Sequence, residues 1–143
     1  MSKTISYKGM IVSTGVERLR LKTNNGKVGY KITKFEIMPN NSNNNFETTV
    51  KIYSTKQNQG DVFVDFSDST LLAAAFSGLI SGGYAGSQAI IHDNVIFNQD
   101  IYVTAEDASG SQPTNNYIEL EAMSLNDVEA TMVTLQNLRT ISS

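Results

Sequence analysis

Apolar and polar residues alternate along much of this chain, which is the pattern of strands that bury one face. The run from Phe46 to Tyr53 is the clearest example, because Phe46, Val50 and Ile52 fall on one face of a strand. Similar alternation predicts strands at residues 16–22, 27–38, 46–53, 61–66, 88–97, 100–105 and 117–123. These strands do not alternate with helices, so we expect a mainly all-β fold, an antiparallel β-sandwich of jelly-roll type.

Two local signals refine the early strands. Asn24, Asn25 and Gly26 follow the first run, and Asn-Gly supplies the positive φ angles of a tight hairpin turn. In the second run the apolar positions change parity partway along. This change predicts a β-bulge near Thr33-Lys34, or a strand that bends between two sheets.

Two segments have helical character. The alanine-rich run Leu71–Phe76 follows Ser69, a residue that can cap a helix, so a short helix is predicted near 69–76. Asn126 and Glu129 have the spacing of a capping box, which predicts a C-terminal helix over 127–139. Its apolar positions recur at helical spacing: Val128, Met132, Leu135 and Leu138.

The length of 143 residues fits one β-sandwich domain, 1–143, with a core that needs no disulfide or metal. Residues 1–12 are expected to form an extended N-terminal arm. This N-terminus is polar and has no apolar segment, so no signal peptide is expected.

Residue types that carry chemistry are scarce in this sequence. It contains no Cys and no Trp, and His92 is its single histidine. The absence of Cys excludes a disulfide framework, a thiolate metal site and a cysteine nucleophile. A histidine base also needs a nucleophile and an oxyanion donor, which the sequence spacing around His92 does not supply. We therefore predict a protein that is not an enzyme, with no catalytic residues and no cofactor.

Clustered carboxylates offer weak candidates for a site. Asp61, Asp65 and Asp68 are three to four residues apart and could hold a structural calcium ion, although they match no EF-hand loop. Neighbouring serines favour a turn-capping role instead. Glu119 and Glu121 point to the same side of one strand, where they are better explained as solvated charge than as a glycosidase pair.

The charge pattern limits the class of partner. The net charge is −3 and the eleven basic residues are dispersed, so the chain lacks the basic surface that binds nucleic acid. The longest apolar stretch, Leu71–Phe76, is far too short to span a membrane. We expect neither nucleic acid nor membrane as a partner.

Several stretches of the sequence are similar to a group of small virion structural proteins of marine tailed phages, including the T-even-like phages of marine cyanobacteria. The similarity runs from about Leu21 to Arg139 and contains no catalytic signature. The stretches that carry it are Asn25–Ile32, Val50–Tyr53, Leu71–Ala75, Ile96–Thr104, Asn116–Glu121 and Glu129–Thr131.

The resemblance implies a structural subunit of the virion, such as a capsid decoration or cement protein, made in the host cytoplasm. Its partners would be the major capsid protein or other virion subunits, with homo-oligomers in the particle. Loops 39–45 and 78–87 and the two chain ends are the expected contact elements, because neutral polar loops and exposed tyrosines suit interfaces. The candidate residues within the loops are Asn41, Asn43, Asn44, Leu79, Ile80 and Tyr84.

The sequence is compatible with two alternatives. The chain could be a receptor- or carbohydrate-binding β-sandwich, in which Tyr would have to supply the aromatic platform because there is no Trp. It could also be a tail or neck component of the virion.

Overall fold

The computed structural model describes residues 3–41, 45–80, 84–92 and 95–142. Side chains are described within these ranges except at residues 80, 84, 85 and 137–142. The described residues form eight strands followed by one helix: β1 (Lys3–Ile11), β2 (Val16–Leu19), β3 (Val28–Pro39), β4 (Phe46–Tyr53), β5 (Leu71–Ile80), β6 (Tyr84–Ile91), β7 (Ile101–Asp107), β8 (Thr114–Ser124) and α1 (Asp127–Ser142).

The strands form two antiparallel sheets. A three-stranded sheet has the order β1-β8-β3, and a five-stranded sheet has the order β2-β7-β4-β5-β6. The mainly β fold and the sandwich are therefore confirmed, whereas the jelly-roll type stays a prediction. None of the helical residues described here forms a segment long and apolar enough to cross a membrane.

The bulge predicted in the second run is confirmed in β3. The register of β3 against β8 shifts between Ile32 and Lys34, so Thr33 is the extra residue. Because side chains alternate with period two, one inserted residue moves Phe35 onto the face that Ile32 occupies. Both side chains are buried, and so the bulge keeps β3 in the core on either side of the irregularity.

The core lies between the two sheets and is formed by the inward-facing residues of most strands. Ile118 and Leu120 of β8 are fully buried on one side, and Val50 and Ile52 of β4 are fully buried on the other. Further core side chains are Ile11, Tyr30, Ile32, Phe35, Ala73, Ala75, Phe97, Ile101, Val103 and Ala105.

Residues 54–70, here called the crossing segment, cover part of the outer face of the five-stranded sheet. Gly60 lies directly against β7, because a Cβ atom there would be 2.1 Å from the backbone oxygen of Ala105. The run 61–66 inside this segment is mostly irregular and pairs with no strand, so the strand predicted there is wrong. The carboxylates of Asp61 and Asp65 accept the backbone N–H groups of Phe63 and Ser67, and such local hydrogen bonds compete with strand pairing.

The short helix predicted near 69–76 is wrong, because these residues lead into and form β5. Helix propensity is a weak preference that tertiary contacts override. The crossing segment covers the outer face of β5 and the core covers its inner face, so Leu71–Ala75 is buried at every position. A continuous apolar run of small residues is typical of such a strand.

Two further expectations about connections are wrong. Residues 3–11 of the predicted N-terminal arm form β1, which pairs with β8 along its whole length, while residues 1 and 2 lie outside the described part.

Asn24, Asn25 and Gly26 do adopt positive φ angles of 47°, 57° and 84°. However, β2 pairs with β7 and β3 pairs with β8, so this turn joins the two sheets and closes no hairpin.

The C-terminal helix and its capping box are confirmed. The backbone N–H of Glu129 donates to the Asn126 side chain at 2.8 Å, and the backbone N–H of Asn126 donates to the Glu129 carboxylate at 3.0 Å. Leu125, Ala130 and Val133 are buried and form a small apolar cluster with Ile96 and Met123. The helix thus packs at the end of the sandwich where β8 finishes.

Replacing Asn126 with alanine is expected to lower the free energy of unfolding by about 1 kcal/mol, because the cap satisfies an otherwise unpaired helix N–H group. Amide hydrogen exchange should accelerate first in the initial turn of α1. Thr131→Ala, an exposed change in the same helix, is the control and should leave this exchange unchanged. Equal exchange in the Asn126 variant and the native protein would contradict the role of the cap.

Candidate interaction surfaces

Of the four predicted contact elements, 39–45 and 78–87 lie at one end of the sandwich as far as they are described, whereas β1 begins and α1 follows β8 at the opposite end. Pro39 ends β3 at this end, and Phe46, which begins β4, pairs with Leu79 of β5. The backbone N–H of Asn41 donates to the Gln112 side chain, which ties the connection after β3 to the one before β8. We call this the loop end of the molecule.

The individual interface predictions have mixed outcomes. Asn41 is exposed at the loop end, whereas Asn43 and Asn44 lie outside the described residues. Leu79 is half-buried in β5, and Ile80 at the end of that strand pairs with Tyr84 of β6. The segment 78–87 is therefore not a loop over its described positions, because β5 and β6 continue through most of it.

The three candidate metal ligands serve the turns of the crossing segment. The Asp61 carboxylate accepts the backbone N–H of Phe63 at 3.0 Å, and the Asp65 carboxylate accepts the N–H of Ser67 at 2.9 Å. The Asp68 carboxylate accepts the N–H of Thr70 at 2.9 Å. Within the described ranges no three acidic, His or Cys side chains are grouped so that they could hold a metal ion. The structure thus assigns these aspartates to local turns.

The other ionisable candidates also have structural contacts. The His92 ring meets the edge of the Phe66 ring at a centroid distance of 5.3 Å, and its backbone N–H donates to the carbonyl of Leu72 at 3.0 Å. The Glu119 carboxylate accepts the hydroxyl of Tyr117 at 2.7 Å. This interaction raises the pKa of the Tyr117 hydroxyl, because a nearby carboxylate disfavours its ionised form.

A buried lysine anchors the crossing segment to the sheet. Lys51 points away from the core, yet its side chain is only 3% exposed because the segment covers it. Its ammonium group donates to the Asp61 carboxylate and to the carbonyl of Phe63, both at 2.5 Å. Burial lowers the pKa of Lys51, but Asp61 and Tyr53 raise it more, so the pKa lies above its ordinary value. Lys51 therefore stays charged and positions residues 61–66.

Beside this anchor an apolar groove crosses the outer face of β5 and β6. It has a volume of about 220 Å³ and is bounded by the crossing segment on one side. Phe66 and Phe76 remain exposed to solvent within it. Contiguous exposed apolar surface marks sites that bind other macromolecules. The residues that line this apolar groove are Val64, Phe66, Ala74, Ala75, Phe76, Gln88 and Ile90.

Sequence reasoning missed the apolar groove for an identifiable reason. The alternation of Val62, Val64 and Phe66 predicted a strand with these side chains in the core, but all three are exposed. The neighbouring aspartates and serines were the available signal, because Asp and Ser side chains form turns in which apolar neighbours need not face the core. Phe76 was assigned to a helix, so its place on the outer face of a sheet could not be inferred.

A second cleft, of about 520 Å³, opens between the two sheets where the edges of β3 and β6 lie near each other. Its lining includes Phe35, Ile37, Ser87 and Asn116. Asn116 is only 9% exposed, and its side-chain amide nitrogen has no hydrogen-bond partner among the described atoms. Because buried polar groups are nearly always hydrogen-bonded, this amide is a donor available to an incoming acceptor. We call this site the β3–β6 cleft.

The comparisons with known proteins give little further information. No protein-family model matches the chain, and a search of curated proteins found no similar sequence. Among solved structures, the chain is similar to the crystal structure of the Yersinia pseudotuberculosis-derived mitogen, with 13% identity, a TM-score of 0.31 and 89% of each chain covered. A TM-score this low supports no inference about this chain.

Proposed function

We propose that this protein is a non-enzymatic structural subunit of a phage virion, of the capsid decoration or cement type. It would bind the major capsid protein or another virion subunit by surface complementarity. The observation that carries this proposal is the apolar groove, where Phe66 of the crossing segment and Phe76 of β5 lie exposed on the outer side of the five-stranded sheet. Exposed aromatic side chains that can enter or receive a partner surface are typical of protein interfaces.

Other features support the same proposal. The sandwich places several connections at the loop end, where they can reach a neighbouring subunit together. The sequence holds no thiol that could be oxidised in an extracellular particle. Because many copies in a particle make repeated contacts, each interface can be modest and the assembly still stable. The similarity to small virion proteins of marine tailed phages points in the same direction.

The first test is mass spectrometry of purified virions with the copy number measured against the major capsid protein. A copy number close to that of the shell subunit is expected. A few copies per particle would replace the decoration role with a tail or neck role. Absence from the particle would overturn the proposal altogether.

The second test addresses the groove itself. Replacing Phe66 with serine is expected to weaken binding of the purified protein to capsids that lack it by about tenfold or more, because buried aromatic anchors dominate interface energies. Phe63→Ser is the matched control: Phe63 lies in the same segment and is 77% exposed, but it does not line the groove. Equal binding by both variants and the native protein would contradict docking through the groove.

Both variants need a folding control, which circular dichroism and urea unfolding provide. A glycan array separates the alternative of a carbohydrate-binding module, for which clear hits with the purified protein are expected. Such hits, together with absence from virions, would favour that alternative over the virion role.

A further inference from the structure

We infer that β6 is a pairing edge at which two copies of this chain join into one continuous sheet. β6 is the last strand of the five-stranded sheet, and on its outer side none of the described strands pairs with it. An unpaired edge presents a row of backbone N–H and C=O groups that can pair with another strand. The inference goes beyond the proposed virion role and is tested without particles, so either can fail alone.

The four edge strands differ in how they are protected. β1 carries Lys3 and Lys8, and β2 is only four residues long and carries Glu17 and Arg18. β3 is interrupted by its bulge and carries charges and a proline: Lys31, Lys34, Glu36 and Pro39. Charges, proline, bulges and short length are the usual devices that prevent edge-to-edge pairing. β6, Tyr84–Ile91, has eight residues without charge or proline, so it lacks these devices.

The exposure of β6 shows that its inner side is also uncovered. Ala89 pairs with Ala75 and Ser87 pairs with Ser77, so each pair shares one face of the sheet. Ala75 and Ser77 are buried, but Ser87 and Ala89 are exposed. The core is therefore closed over β5 and open beside β6, where the β3–β6 cleft begins. A strand added next to β6 would extend the sheet across this opening.

The charge pattern favours a second copy of the chain as the occupant. Two antiparallel copies of β6 bring no like charges together, whereas self-pairing of β1 would bring lysines close to one another. A two-fold axis makes each surface its own partner, and this is the commonest symmetry of soluble oligomers.

The faces of the strand restrict the register of this pair. Residues directly opposite each other in an antiparallel pair point to the same side of the sheet. Gln88 faces outward with Ile90, and Ala89 faces the cleft. When both sandwiches lie on the same side of the joined sheet, each residue of one β6 lies opposite a residue of the other β6 that faces the same way. This condition holds only when one residue of β6 lies directly opposite its own copy across the two-fold axis. The exposed middle of β6 places that axis at Gln88 or at Ala89.

The first experiment measures the mass of the purified full-length protein by light scattering over a range of concentrations. A dimer is expected, and Gln88→Lys should weaken its association several-fold by placing two cations near the axis. Val128→Lys, at an exposed position of α1, is the control and should leave the dimer intact. A native protein that stays monomeric, or a dimer that Gln88→Lys does not weaken, would overturn the inference.

The absence of cysteine allows a second, independent measurement. At the axis a residue lies opposite its own copy at a Cα distance compatible with a disulfide. Either Gln88→Cys or Ala89→Cys is therefore expected to form a disulfide-linked dimer rapidly under mild oxidation. Val128→Cys is the control for random collision. Crosslinking of both β6 variants no faster than the control would contradict pairing through β6, even if the protein were dimeric.

Discussion

Replacing Phe97 with alanine is expected to lower the free energy of unfolding by about 3–5 kcal/mol, the range for deleting a fully buried aromatic side chain. Phe97 is 1% exposed and stacks on Tyr30 with a centroid distance of 6.3 Å. The two residues also exchange backbone hydrogen bonds of 2.8 and 2.9 Å. The side chain thus fixes the connection between β6 and β7 against β3, and its loss leaves a cavity between the two sheets.

Urea unfolding with a constant m-value is the measurement for this prediction. Phe63→Ala is the matched control, because the same substitution at a 77% exposed position removes little buried surface and should change stability by about 0.5 kcal/mol or less. A loss below about 1 kcal/mol for Phe97→Ala would contradict the packing described here, since it would mean that the site collapses without a cavity.

Replacing Asp61 with alanine is expected to cost about 2 kcal/mol, because it leaves the buried Lys51 ammonium group without its carboxylate. The cost is lower than for a fully buried ion pair, since the Asp61 side chain is about half exposed and its charge is screened by water. The same variant should weaken any docking at the apolar groove, because Lys51 positions the crossing segment that bounds it.

A double-mutant cycle separates the ion pair from other effects of the substitution. Lys51→Met fills a similar volume without a charge and is expected to be tolerated. In that background, Asp61→Ala should cost no more than Asp65→Ala costs in the native protein, because only the turn hydrogen bond to Phe63 is then lost. Asp65→Ala, in the same segment but without a buried cation beside it, is the matched control. Losses that simply add in the double variant would contradict the coupling between Lys51 and Asp61.

The pH dependence of this anchor has a defined sign. The pKa of Lys51 is raised in the folded protein, so the protonated form is favoured by folding. The contribution of the charged Lys51 to the free energy of unfolding is therefore complete below the pKa of an unfolded lysine. It is lost as the pH rises through the higher pKa of Lys51 in the folded protein. The difference in stability between the native protein and Lys51→Met should consequently change only in the alkaline range.

Local signals in the sequence predicted several elements correctly. The capping box at Asn126 and Glu129 depends on atoms three residues apart, and the bulge at Thr33 follows from a parity change within one strand. The positive φ angles at Asn24–Gly26 follow from the residue types of the turn. Each of these features is decided by neighbours along the chain, so the sequence contains the necessary information.

The errors share a different origin. Leu71–Phe76 has the composition of a helix but forms part of strand β5. Residues 61–66 have the alternation of a strand but form neither a strand nor a helix. These segments lie against one another across the outer face of the five-stranded sheet. Whether a strand is buried on one face or on both depends on segments that are distant in sequence. A single sequence does not show which of these segments contact each other.

The sequence alone determined that this protein is mainly β and where its terminal helix is capped. The tertiary structure alone decided which strands pair, that the crossing segment anchored by Lys51 leaves Phe66 and Phe76 exposed, and that the uncharged β6 lies at an edge. Propensity and capping act over a few residues, whereas strand order and burial arise from contacts between distant parts of the chain.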